Sequence, residues 1–78
     1  RFPQTLINVR VKDKHAADGN AAIADAVAAA EQALGEDGRV LLRPSGTEPV
    51  VRVMVEALDA AAAEQHAKAI AEVVEREI

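Results

Sequence analysis

The chain has 78 residues, a formal net charge of −4, 50% hydrophobic residues and no cysteine. This length holds one domain, and a domain of this size buries only about 60% of its unfolded surface, so its stability is modest. The negative balance argues against a nucleic-acid or anionic-membrane partner, the missing cysteines exclude a disulfide framework and a thiolate metal site, and without a signal-peptide pattern or a membrane-length apolar run the sequence fits a soluble, cytoplasmic domain.

Thr5–Val11 (TLINVRV) alternates, with Ile7, Val9 and Val11 on one face and Leu6, Asn8 and Arg10 on the other, the pattern of a half-buried strand. The polar KDKHAADG that follows breaks at Gly19. Asn20 is placed to cap a helix whose stripe is Ile23, Val27, Ala30 and Leu34, and Gly35 suits the left-handed position at its end. EDG leads into a second strand, Arg39–Arg43, and a third covers Val50–Ala57. Asp59 is a cap for the last helix, whose stripe of Ala63, Ala67, Ile70, Val74 and Ile78 leaves Glu64, Gln65, Lys68, Glu72 and Glu75 to solvent. The order is β-α-β-β-α, an α+β domain.

The two strand faces differ. One parity, Ile7, Val9, Val11, Val40, Leu42, Val51, Val53 and Val55, is wholly apolar and belongs under both helices. The other mixes Leu6, Leu41, Val50 and Met54 with Asn8, Arg10, Arg39, Arg43, Arg52 and Glu56. A right-handed β-α-β crossover with the third strand inserted between the first two predicts a small antiparallel sheet of order 1-3-2, with both helices packed on one face. The apolar members of the open face are expected to pack on something outside this chain.

The link from Arg43 to Pro49, seven residues, is long for a hairpin. If Arg43 pairs with Val50, Arg52 lies diagonally from Arg43 on the same face, about 7 to 8 Å away between backbones. Two guanidiniums then converge at the loop mouth, and such forks match phosphate oxygens bidentately. Ser45 and Thr47 add hydroxyls, Gly46 permits positive φ and close backbone approach, Pro44 stiffens the entry and Pro49 holds Glu48 extended. A phosphate cradle fits these residues, and so does a long turn that uses Pro, Ser and Gly for shape alone. Glu48 reads as a solvent-exposed carboxylate or an arginine partner. His15 and His66 have no second ligand at metal spacing.

RPSGTEP followed by VVRVMVEA resembles the phosphate-binding loop and following strand in the last domain of the α-D-phosphohexomutase superfamily. PQTLINVRV ahead of the first helix and GRVLLRPSGTEP after it extend the resemblance over essentially the whole chain. RPSGTEP is common to several branches; its combination with VVRVMVEA and NVRV points to the branch acting on glucosamine phosphates, with phosphoglucomutases and phosphomannomutases as the alternative. The resemblance implies that residues 1–78 are one domain of TATA-binding-protein-like fold, the C-terminal phosphate-binding domain of a four-domain enzyme. In that enzyme a phosphoserine of the first domain exchanges phosphoryl groups with the sugar through a bisphosphate, Mg2+ is held by aspartates of the second, and the third reads the sugar. The fourth clamps the phosphate that is not being transferred. Carried over, this role falls to Arg43, Ser45, Gly46, Thr47 and Arg52, with Pro44 and Pro49 as scaffold. No catalytic or metal-binding residue is expected in this chain, and its expected partners are a phosphorylated hexosamine and the other three domains. A free-standing regulatory or interaction module is the reading from another class. RNA binding on such a sheet would need exposed aromatic residues, and Phe2 is the only aromatic.

Overall fold

The computed structural model of the chain describes residues 2–78, the side chain of Lys14 excepted. Its main elements are β1 (Gln4–Arg10), α1 (Ala21–Leu34), β2 (Arg39–Pro44), β3 (Val50–Glu56) and α2 (Ala60–Glu77). The strands form one antiparallel sheet of order β1-β3-β2, as the crossover argument predicts. The polar stretches before α1 and β2 are not plain links: each contains a single 3₁₀ turn, at Lys14–Ala17 and Gly35–Asp37. The first is started by the Asp13 carboxylate, which accepts from the His15 amide at 3.0 Å.

Both helices begin where the sequence places their caps. The Asn20 side chain accepts from the Ile23 amide at 3.0 Å, and the Asp59 carboxylate accepts from the Ala62 amide at 2.8 Å. Each bond satisfies one of the otherwise unpartnered first-turn N–H groups, worth about 1 kcal/mol. Gly35 ends α1 with φ of 61°, a conformation that costs a glycine little.

α2 lies across β1 and β3, and α1 packs on β2 and against α2. Between them and the sheet sit Val9, Val51, Val53 and Val55 from the strands and Ile23, Ala30, Ala63, Ala67, Ile70 and Val74 from the helices. Small residues at Ala63 and Ala67, fully buried, let α2 approach the β-branched surface closely. Each large core side chain contributes roughly 1.5 to 3 kcal/mol gross, most of which conformational entropy offsets. One parity of every strand is thus consumed by the core. The other stays open to solvent: Leu6 is exposed, and Leu41 and Met54 are half-buried.

Register fixes which side chains share a row on that open face. Gln4, Glu56 and Arg39 stand abreast at one end; Leu6, Met54 and Leu41 come next; then Asn8, Arg52 and Arg43. Arg10 and Val50 make up the last row, beside the β2–β3 loop.

Candidate functional site

β2 runs one residue further than its sequence pattern suggests, through Pro44, so both Arg43 and Pro44 belong to the strand and the link is five residues, Ser45 to Pro49. The register moves with it. Arg43 pairs directly with Arg52, not diagonally, and Pro44 pairs with Val51. Directly opposite residues have backbones about 4.5 to 5.5 Å apart, closer than the diagonal spacing. The physical reason lies in the edge position of β2. Ser45 donates its N–H to the Val50 carbonyl at 2.8 Å, so the alternation of the ladder turns the nitrogen of Pro44 away from β3, toward the open edge. A proline costs no ladder bond there.

Beyond Ser45 the loop is held by short-range bonds. The Val50 amide donates to the Glu48 carbonyl at 2.8 Å, bending the chain tightly at Pro49, and the Val11 amide donates to the Pro49 carbonyl at 2.9 Å. Ser45 is buried, and its hydroxyl accepts from the Thr47 amide at 3.4 Å. Gly46, Thr47, Glu48 and Pro49 are exposed. Among the described residues nothing accepts from the amides of Gly46 or Glu48.

Gly46 is not there for positive φ: Gly19 and Gly35 are the glycines that adopt it. Nor does its own chain crowd it, because a Cβ at Gly46 would meet nothing within 4 Å. What a side chain would fill is the open space in front of the loop. The close-approach reason for a glycine therefore remains, and the conformational one does not.

The electrostatics of this end are one-sided. Arg43 and Arg52 are both exposed, and among the described residues no carboxylate lies within ion-pair distance of either. Glu48 does not partner them. Arg52 has Arg43 on one flank and the neutral Asn8 on the other. Two unpaired guanidiniums this close repel by about 1 kcal/mol or less in water, which the fold tolerates, whereas an anion between them gains from both. Two concavities lie away from this end, one lined by Glu72, Glu75 and Arg76, another by Ala33, Leu34, Asp37, Leu58 and Ala62 among others. The structure thus brings together all five residues named for the clamp, Arg43, Ser45, Gly46, Thr47 and Arg52, at one end of β2 and β3. It also brings Arg10 to the same end, a residue whose strand parity was readable but whose position beside the loop depends on the β1–β3 register.

Comparison with known proteins places the sequence and the fold. The family model described as phosphoglucomutase/phosphomannomutase, C-terminal domain, matches residues 6–73. The phosphoglucosamine mutase of Oceanobacillus iheyensis is 56% identical over 77 residues, which cover 99% of this chain and 17% of that protein. Its namesake in Burkholderia thailandensis is 59% identical over 75 residues, covering 96% of this chain and 17% of that protein. Among solved structures, Aspergillus fumigatus N-acetylphosphoglucosamine mutase in complex with GlcNAc-6P and magnesium superposes with a TM-score of 0.82 at 25% identity, over 96% of this chain and 16% of that one. A substrate complex of N-acetylglucosamine-phosphate mutase, a member of the α-D-phosphohexomutase superfamily, gives 0.80 at 28% identity, over 94% of this chain and 15% of that one. The chain spans 17% of the length of the first of these curated relatives. By sequence and by fold, this chain belongs to the phosphoglucomutase/phosphomannomutase C-terminal domain family.

Proposed function

We propose that this chain is the C-terminal, substrate-phosphate-binding domain of a four-domain phosphoglucosamine mutase. Its task is to hold the phosphate that is not being transferred while glucosamine-6-phosphate and glucosamine-1-phosphate are interconverted through a phosphoserine enzyme and a bisphosphate. The observation that carries this reading is the direct pairing of Arg43 with Arg52, both without a carboxylate partner among the described residues, beside a loop in which nothing among those residues accepts from the Gly46 and Glu48 amides. The 56% and 59% identities to phosphoglucosamine mutases favour that sugar over glucose or mannose. The same clamp would serve a phosphoglucomutase or phosphomannomutase.

The division of labour follows from the groups available. Arg43 and Arg52 offer planar forks to phosphate oxygens, Ser45 and Thr47 offer hydroxyls, and Gly46 lets the oxygens approach the backbone. Pro44 and Pro49 hold the loop ends. Such donors recognise the dianion and not the carbon that bears it, so the bisphosphate can be held in either orientation. Fixing the remote phosphate lowers the entropic cost of in-line transfer at the other end, and its binding energy can be spent there. The chain supplies binding and closure, with the nucleophile in another domain. Among the described residues no group of three or more His, Asp and Glu side chains could hold a metal ion. Magnesium, present with GlcNAc-6P in the Aspergillus enzyme, is on this reading held by the other domains of the parent enzyme, a cytoplasmic protein. No helix among the described residues is long and apolar enough to cross a membrane.

The test is substitution in the complete mutase. Arg43→Ala should lower kcat/KM for glucosamine-6-phosphate roughly ten- to several-hundredfold, the loss of one or two charge-assisted hydrogen bonds. The phosphoserine level should stay unchanged, because loading the serine is the work of another domain. Full efficiency at subsaturating substrate would leave the loop as a turn and nothing more.

A further inference from the structure

A third arginine stands at the loop end of the open face. Arg10 is the last residue of β1, is exposed, and pairs with Val50. The next residue fastens β1 to the loop, the Val11 amide donating to the Pro49 carbonyl at 2.9 Å. Arg10 is therefore diagonal to Arg52 on the adjacent strand, about 7 to 8 Å away between backbones and within reach of the same anion for an extended arginine side chain. No carboxylate among the described residues lies within ion-pair distance of it. Val50, the ladder partner of Arg10 beside the loop, is only 8% exposed although it lies on the open face.

We propose that Arg10 is the third guanidinium of the phosphate clamp, engaging from the β1 side the same dianion that Arg43 and Arg52 hold. This rests on the phosphate-binding reading of the loop. The loop amides meet the anion at the tip of the hairpin and Arg43 meets it from β2. Arg52 meets it from the central strand. The β1 side is otherwise lined by the neutral Asn8, which brings hydrogen bonds but no charge. A phosphate dianion has more acceptor positions than two forks and a few amides fill, and a third fork on that side completes its shell. Three convergent cations, in a chain whose net charge is −4, also favour a dianion over a monoanion such as a carboxylate.

The experiment is a titration of this chain with inorganic phosphate, followed through its backbone amides by NMR, for the wild type, Arg10→Gln and Arg39→Gln. Glutamine keeps much of the aliphatic stem and removes the charge. Arg39→Gln removes the same charge from the far end of the same face. Arg10→Gln should weaken binding about tenfold, the scale of one charge-assisted hydrogen bond. Arg39→Gln should change it by less than about twofold, as screened surface charges do. Equal affinity for wild type and Arg10→Gln, with shifts still at Ser45, Gly46 and Thr47, would overturn the third arginine and leave the clamp standing. Equal losses in both variants would reduce Arg10 to a general charge effect and overturn it too. A wild type that shows no shifts at the loop would overturn the phosphate reading and this inference with it.

Discussion

At one end of the open sheet face Arg39 lies opposite Glu56, its Nε 3.5 Å from the carboxylate, and Gln4 donates to the other oxygen of Glu56 at 3.1 Å. At the other end, four residues along the same strand, Arg43 lies opposite Arg52. The strands, the face and the arginine side chains are alike; the difference is the residue across the ladder. Where the fold alone is served, an arginine meets a carboxylate. Where it meets another arginine, the fold carries a small repulsion that nothing across the ladder offsets, and on the proposed reading an anion supplied from outside relieves it. The glycines mark the same contrast. Gly38, at the closed end, is there for packing: a Cβ would run into the Glu56 carbonyl oxygen and crowd Leu34. Gly46, at the open end, has empty space in front of it.

The largest expected effect breaks the comparison in function. In the complete mutase, Arg52→Ala should match the ten- to several-hundredfold loss of kcat/KM expected for Arg43→Ala, while Arg39→Ala stays within about twofold of wild type. The double variant Arg43→Ala/Arg52→Ala should lose less than the product of the single losses, because both hold one phosphate. Arg43→Lys should recover only part of the loss, keeping the charge without the fork. Steady-state kinetics at subsaturating substrate measures all of these.

A smaller effect breaks it in stability. Gly38→Ala should destabilise the domain by about 1 to 3 kcal/mol, since the obstacle is a backbone carbonyl that cannot rotate away. Gly46→Ala should leave stability within about 0.5 kcal/mol and still weaken phosphate binding, because its methyl group occupies the approach. Denaturant unfolding paired with a phosphate titration separates the two. The smallest effect sharpens the comparison: Glu56→Gln frees Arg39 and should cost about 1 kcal/mol or less, because the Arg39 side chain is exposed, Glu56 is only half-buried and a glutamine can still accept from Gln4. Phosphate shifts should not move to that end, which has an arginine but no loop amides beside it.

The layout of the fold was legible in the sequence because its signals were redundant. Strict alternation in TLINVRV and VVRVMVEA, a cap and a stripe for each helix, and Gly35 at a helix end all pointed to one order of elements, and the sheet order followed from it. Register was less legible. Pro44 was read as the stiff entry to the loop, outside the strand, and the edge position of β2 is what makes its missing N–H harmless inside it. That one residue moved Arg43 from diagonal to opposite Arg52. Gly46 was misread in part for a similar reason, since glycine carries no mark of whether conformation or space selects it. The chemical content of the loop was readable as a set of donors, whereas its one-sided charge depended on which carboxylates the fold leaves out of reach. Glu56 is abreast of Arg39, and Glu48 beside the loop partners neither arginine. No residue-by-residue pattern states that.

The central claim is that the open end binds phosphate and the closed end does not. The most direct measurement follows the backbone amides of this chain by NMR as glucosamine-6-phosphate is added. The account predicts shifts concentrated at Ser45, Gly46 and Thr47 and extending to Arg43 and Arg52, with Gln4, Arg39 and Glu56 silent. Shifts of equal size at the Arg39–Glu56 end, or none at the loop at millimolar ligand, would contradict it.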